Sequence, residues 1–162
     1  MRLLTSRWLR ATGMAVAMAM GVAGCVVVDS PVPIGDSATS VSASDWRGTW
    51  IYNEGAVVVR VVDTGKGKIE IAWIETENGA FVLRKRAVEI RQSGDWMFAN
   101  LPSEAASDRF AWARIKGDGR EILVWIPDND KIEALVKDGT LAGAVDDKGN
   151  VHLGALSPDQ MK

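Results

Sequence analysis

One thiol and one imidazole, Cys25 and His152, are the only soft nucleophile and the only base that titrates near neutral pH along these 162 residues. A serine relay would have to use His152, and the chain holds no Gly-x-Ser-x-Gly elbow to present a hydroxyl to it. His152 alternates with Val151 and Leu153, so a strand there turns it away from the apolar pair, toward the surface or a rim. Zinc asks for three or four Cys, His or carboxylate ligands, which one histidine does not begin to supply. Asp128-Asn129-Asp130 opens with the donor spacing of a calcium loop but then places Ile132 where a ligand is needed, and helix capping accounts for it better. Gly65-Lys66-Gly67-Lys68 lacks the spacing of a phosphate-binding loop and reads as a polar hairpin turn. Glu54, Glu70, Glu75, Glu77, Glu89 and Glu121 could supply the acid pair of a glycoside hydrolase. They mostly alternate with apolar residues, which is the pattern of a solvated strand face. Arg84-Lys85-Arg86 could dock an anion, or it could guard an exposed strand against pairing. No catalytic set, metal site or cofactor is expected, and the chain reads as a non-enzyme.

Cys25 has a different use. Arg2, Arg7 and Arg10 make a basic start, an apolar run covers Ala11 to Met20, and Val22-Ala23-Gly24 leads into the cysteine. A basic region, a short apolar region and a small-residue cut site make a secretory signal that is too short to span a bilayer comfortably. The arrangement resembles a bacterial lipoprotein signal peptide ending in a lipobox. The resemblance implies cleavage between Gly24 and Cys25 and acyl chains of the palmitate class on the cysteine. Val26, where an aspartate would retain the protein at the inner membrane, implies the outer membrane, with the domain facing the periplasm.

Removing residues 1–24 takes away the three arginines and no acidic residue, so the formal charge moves from −2 to −5. An acidic domain is a poor match for nucleic acid or for anionic lipid headgroups, both of which ask for a basic face. With its only cysteine at the anchor, the domain has no disulfide and must be stabilised by a core. The expected partners are the membrane, through the acyl chains, and either an envelope protein or a small apolar ligand.

Val26 to Ser44 is rich in Pro, Gly and small polar residues and shows no period, so residues 25–44 read as the lipidated cysteine and a flexible tether. As a coil such a segment reaches roughly 25 Å. Residues 45–162 read as one domain. There the period is two, and turn signals recur: Thr64-Gly65-Lys66-Gly67, Glu77-Asn78-Gly79, Ser93-Gly94, Gly117-Asp118-Gly119 and Asp146-Asp147-Lys148-Gly149-Asn150. Strands are expected over 49–52, 56–63, 68–75, 81–91, 96–101, 110–116, 121–126, 141–145 and 151–156. One segment departs from the period. Asp128 stands before Ile132, Leu135 and Val136, and Gly139 follows, which predicts a capped helix of two to three turns. The fold class is therefore mainly β: a small antiparallel up-and-down β-barrel or curled sheet of about eight strands with one short helix, or alternatively a β-sandwich.

Gly48-Thr49-Trp50 at the head of the first domain strand is similar to the Gly-x-Trp motif of lipocalins. That resemblance implies a barrel whose base the tryptophan closes, and an interior that carries a small apolar ligand. No basic partner for the tryptophan is evident after Lys148, and two strands come after the helix instead of none. The candidate ligand or interface residues are the strand aromatics Trp50, Trp73, Trp96, Phe110, Trp112 and Trp125, whose default role is core packing. The expectation that follows is a membrane-anchored envelope module with an interaction or structural role; the alternative is a lipocalin-like carrier.

Overall fold

The computed structural model describes residues 27–52, 55–103, 106, 108–157 and 159–161. Cys25, Gly24 and the whole predicted signal segment lie outside the described residues. The protein is mainly β, built on one mixed sheet in the strand order β10-β11-β1-β8-β7-β6-β5-β4-β3. Six long strands form an antiparallel meander: β3 (Gly48–Tyr52), β4 (Gly55–Asp63), β5 (Lys68–Glu77), β6 (Ala80–Ser93), β7 (Trp96–Pro102) and β8 (Phe110–Gly117). A short β9 (Ile122–Trp125) returns along β8. The nine-residue helix α2 (Asn129–Lys137) then leads to β10 (Gly143–Val145) and β11 (Val151–Leu153).

The local chemistry works as the residue types require. Asn78 and Gly79 both take positive φ, 52° and 79°, the backbone of a tight turn that matches strand twist, and they join β5 to β6 without slack. Asp63 Oδ1 accepts from the backbone N–H groups of Gly65 and Lys66, and Asp118 Oδ1 from those of Arg120 and Glu121, so both turns are closed by a carboxylate. At α2, Asp128 caps the N-terminus by accepting from the Lys131 N–H. Gly139 follows with φ 81°, where any side chain would be strained. The segment 81–91, expected as one long strand or a bent pair, is one strand.

Two expectations are corrected. The sheet does not close into a barrel: β3 and β10 are its two ends and do not pair with each other among the described residues. Nor is it a sandwich of two sheets. Closure needs every strand tilted and staggered to a common shear. Here β3 ends the sheet on one side and the short β10 on the other, while β1 and β9 share one edge of β8 and β2 continues the edge of β6 beyond β5.

The second correction concerns the expected tether. Residues 28–46 form β1 (Val28–Ser30), β2 (Ser37–Ala38) and the one-turn helix α1 (Ala43–Trp46). β1 lies between β8, antiparallel, and β11, parallel. β2 pairs with the end of β6 at Arg91 and Gln92, beyond the last residue that β5 reaches. Val28, Ile34, Val41 and Trp46 are buried. Gly35 makes this crossing feasible: at φ 114° a Cβ would stand 2.6 Å from the Cβ of Arg91. Proline and small residues ordinarily signal slack, yet here they let an irregular strap run over the sheet while its sparse apolar residues drop into it.

The core has two parts. The larger joins Val41, Trp46, Val59, Ile69, Val88, Ile90 and Ile115 on one face of the meander. The smaller joins Val28, Leu141, Val151 and Leu153, with Ile132, Leu135 and Val136 of α2 packed against it. The helix thus covers the β1–β11 end of the sheet.

Candidate functional site

A buried polar cluster sits where the chain enters the sheet. Asp29, the middle residue of β1, is aligned with Ala111 on β8 and with His152 on β11. Alternation puts Arg109 on the same side of its chain as Ala111, and cross-strand alignment puts His152 beside Asp29. The result is a fully buried carboxylate with two basic partners. Arg109 Nε donates to Asp29 Oδ1 at 2.5 Å, and Arg109 Nη2 donates to the Leu153 carbonyl at 2.8 Å. His152 Nδ1 lies 2.9 Å from the same Oδ1, and its Nε2 lies 3.5 Å from Asp146 Oδ2. Asp29 Oδ2 is buried and has no partner among the described residues.

Asp146 belongs to the β10–β11 turn and organises it. Its Oδ1 accepts from the backbone N–H groups of Lys148 and Asn150, and its Oδ2 accepts from Asn150 Nδ2 at 2.7 Å. The bond from the Asn150 side chain, helped by those backbone N–H groups, holds the Asp146 carboxyl below the usual carboxylate range. Asn150 then turns its Oδ1 outward and accepts from the N–H of Val27 at 3.0 Å. The Val27 carbonyl accepts from the N–H of Val151 at 2.9 Å. Every described residue from Val27 to Ser30 is therefore held by strand pairing, a side chain or both.

Chemically, a carboxylate on an imidazole is one half of a hydrolytic relay. Here both ring nitrogens face carboxylates, and the neighbouring hydroxyl, Ser30 Oγ, donates to the Val32 carbonyl at 2.7 Å instead. The arrangement is suited to clamping β1 between β8 and β11. His152, expected as a surface or rim residue, is partly exposed but belongs to this clamp; its carboxylate partner stands 123 positions away and is invisible to local pattern.

A second clamp follows along the strap. Buried Asn100 on β7 donates from Nδ2 to the Ile34 carbonyl at 3.0 Å and accepts at Oδ1 from the Ile34 N–H at 2.6 Å, so one side chain replaces a strand neighbour. Arg91 holds the carbonyls of Gly35 and Asp36 from Nε and Nη2, and its Nη1 pairs with Glu89 at 2.9 Å.

The six aromatics do not converge. Trp50 packs against the larger core and donates its Nε1–H to the Trp46 carbonyl. Trp73 donates to Glu75, which Arg84 also holds at 2.9 Å. These two bonds keep the Glu75 carboxyl below its ordinary range. Trp96 carries the guanidinium of Arg114 over its ring. Trp112 meets Phe98 edge-on at 6.2 Å and packs on the smaller core, its Nε1 buried without an acceptor among the described residues. Phe110 lies at the β1 end of β8, and Trp125 is exposed on β9. Two shallow hollows, of about 210 and 150 Å³, are lined by Asp130, Glu133, Ala134 and Lys137 and by Lys116, Gly117, Asp118, Glu121 and Leu123. None of the six aromatics lines either. The basic cluster divides as well: Arg84 bridges Glu75 and Glu77, while Arg86 donates to the Lys85 carbonyl.

Sequence reasoning missed Asp29, Arg109, Asp146 and Asn100. The one local signal was Val26-Val27-Val28 before Asp29, a β-branched run that favours a strand. The chain matches no family model, no characterised protein and no solved structure.

Proposed function

We propose that this chain is a lipid-anchored protein of the bacterial envelope, whose β-domain works without catalysis as an interaction or structural module at the membrane surface. Support comes chiefly from one juxtaposition: the chain enters the sheet at Val27, two residues after Cys25, and is clamped there through Asp29, Arg109 and His152. Two residues reach at most about 7 Å. Acyl chains on Cys25 would hold such a domain against the headgroups, in place of the roughly 25 Å of play that a free coil of that length allows. One acyl chain binds a bilayer marginally and two or more bind firmly, each methylene contributing about 0.8 kcal/mol. Val26 after the cysteine favours the outer membrane, with the domain in the periplasm.

The interaction role is supported by the far end of the meander. Ile51, Val58, Ile74, Phe81 and Leu83 are all exposed, and alternation with the strand register puts them on one face of β3–β6, opposite the larger core. A contiguous apolar face of this kind is unusual on a monomer that meets no partner. The β5–β6 turn lies at the end of the strands opposite the β6–β7 turn, toward which the N-terminus of β1 points, so this face extends away from the anchor.

A second reading is a lipocalin-like carrier of a small apolar ligand. It draws on Gly48-Thr49-Trp50 at the start of β3 and on the strand aromatics. Against it stand the open sheet and the two cores filled by side chains.

The test is an intact mass and an alkyne-palmitate label on the protein purified from membranes, beside Cys25→Ser, followed by native mass spectrometry of residues 27–162. A diacyl mass that Cys25→Ser loses, with nothing apolar bound to the domain, supports the anchored module. A co-purified lipid that shifts tryptophan emission supports the carrier. A chain that is neither cut nor acylated at Cys25 overturns both as envelope lipoproteins.

A further inference from the structure

β1 and β9 share one edge of β8 and run in the same direction along it. β1 covers the first half, with Ser30 opposite Phe110 and Asp29 opposite Ala111. β9 covers the second, with Trp125 opposite Arg114, Val124 opposite Ile115, Leu123 opposite Lys116 and Ile122 opposite Gly117. Continuing the β1 alignment puts Val28 beside Trp112 and Val27 beside Ala113, the residue next to Arg114. The C-terminal end of β9 and the point where the chain enters β1 therefore meet end to end, about one residue spacing apart, or ~3.3 Å along β8.

What stands at that junction is apolar and uncovered. Leu123, Val124, Trp125 and Ile126 are 43, 56, 46 and 80% exposed, a run of four consecutive large apolar residues in the chain. A single exposed Leu needs no explanation, whereas a run of four around a tryptophan does. Exposed lysines flank it: Lys116 lies opposite Leu123, and Lys148 sits in the turn whose Asn150 holds Val27.

We infer that Leu123–Ile126 is a membrane-contact platform that seats the domain on the lipid surface beside its own anchor. The inference rests on the acylation of Cys25 proposed above. With at most about 7 Å of chain between Cys25 and Val27, acyl chains enter the bilayer within a strand or two of Trp125. An apolar edge held that close to the headgroups meets lipid before it meets anything else. Tryptophan is the residue that settles at the headgroup level, with its ring in the apolar boundary and its N–H among polar groups. Alternation puts Leu123 and Trp125 on one face of β9 and Val124 on the other, so the edge of β9 away from β8 enters the apolar boundary with a side chain on each face and Ile126 beyond its end. The clamp on Asp29 then has a purpose beyond stability. It fixes the angle between anchor and platform, so the Phe81 face is presented at a defined orientation and height.

The test uses the acylated full chain, purified from membranes and reconstituted in phosphatidylethanolamine/phosphatidylglycerol vesicles with brominated acyl chains. Acylation is established separately by intact mass. The expected result is selective quenching: brominated lipid removes most of the emission that Trp125→Phe also removes, and leaves the other mature tryptophans little changed. Ile126→Asp, with far-UV and near-UV circular dichroism unchanged, should cut that quenching at least twofold. Three results overturn the platform. An acylated chain whose Trp125 emission brominated lipid leaves intact refutes it while the anchor stands. Trp125 shielded from aqueous acrylamide but not quenched by lipid assigns the edge to a protein or to an uncut N-terminal segment. A Cys25 without acyl chains removes the anchored reading and the platform with it.

Discussion

Arg109 Nε and Asp29 Oδ1 stand 2.5 Å apart across 80 residues of chain, and the carboxylate end of that pair is almost wholly buried. The pair joins the first described strand of the protein to the start of β8, and the second guanidinium nitrogen joins both to β11 through the Leu153 carbonyl. A buried charge is costly without its partner, so the two basic residues on Asp29 are not equivalent.

Arg109→Ala leaves Asp29 buried with only His152 beside it, whereas His152→Ala leaves the shorter Arg109 contact in place. Arg109→Ala should cost about 3 kcal/mol in urea unfolding and His152→Ala about 1 kcal/mol, reflecting a lost buried partner against a lost secondary hydrogen bond. Equal costs, or the reverse order, would show that the imidazole and not the guanidinium compensates Asp29.

Shortening the chain to residues 45–162 removes β1, β2 and the buried side chains Val28, Ile34 and Val41. At about 1.5–3 kcal/mol for each buried aliphatic side chain, the loss is comparable to the whole stability of a small domain. Residues 27–162 should melt cooperatively, and 45–162 should show no cooperative thermal transition. Matching melting temperatures would mean that residues 27–44 contribute nothing to the fold.

Asn100→Ala deletes the group that satisfies both the N–H and the carbonyl of Ile34 inside the protein. Two buried backbone groups lose their partner, and a cost of about 2–3 kcal/mol is expected. Amide exchange should report where the loss falls. Ile34 and its neighbours on the strap should exchange faster, while Ile69 and Val88 in the larger core stay protected; uniform loss across both would argue against a local clamp.

Acid should loosen the entry of the chain before it disturbs the meander. The Asp146 carboxyl is depressed in the folded state by its bond from Asn150 and by backbone N–H groups. A group with a lowered folded pKa contributes stability that is complete above its unfolded value, about 3.9 for Asp, and is lost as pH falls through the folded value. The Val27–Asn150 contact should therefore be constant from pH 7 to about pH 5 and weaken below about pH 4. NMR shifts of the Val27 amide across that range measure it. A transition centred well above pH 5 would show that a group other than Asp146 controls the contact.

Much of the meander was legible because its information is local. Asn78-Gly79 dictates a tight turn wherever it occurs, and the register of β5 on β6 follows from that turn alone. The α2 helix was equally plain, since Asp128, Ile132, Leu135, Val136 and Gly139 lie within one 12-residue window and carry cap, stripe and stop together. The candidate site was not legible. His152 was visible only as a lone imidazole, and Asp29 only as a polar residue that ends an apolar run.

By itself the sequence determined the class, mainly β with one capped helix, the positions of the turns, and the acidic charge of the chain without residues 1–24. Periodicity, turn chemistry and capping act over two to five residues, so they survive without any knowledge of distant partners. Only the tertiary structure decided that the sheet stays open, that Val28–Ser30 and Ser37–Ala38 belong to it, and that Asp29, Arg109, Asp146 and His152 meet. A three-residue strand carries too few residues to show a period, and its stability comes from neighbours 80 and 123 positions away. Those contacts offset the entropy of closing long loops only once the rest of the sheet is in place. Where the chain enters the fold, and which side chains surround that entrance, is for that reason a property of the assembled sheet and not of any stretch of the chain.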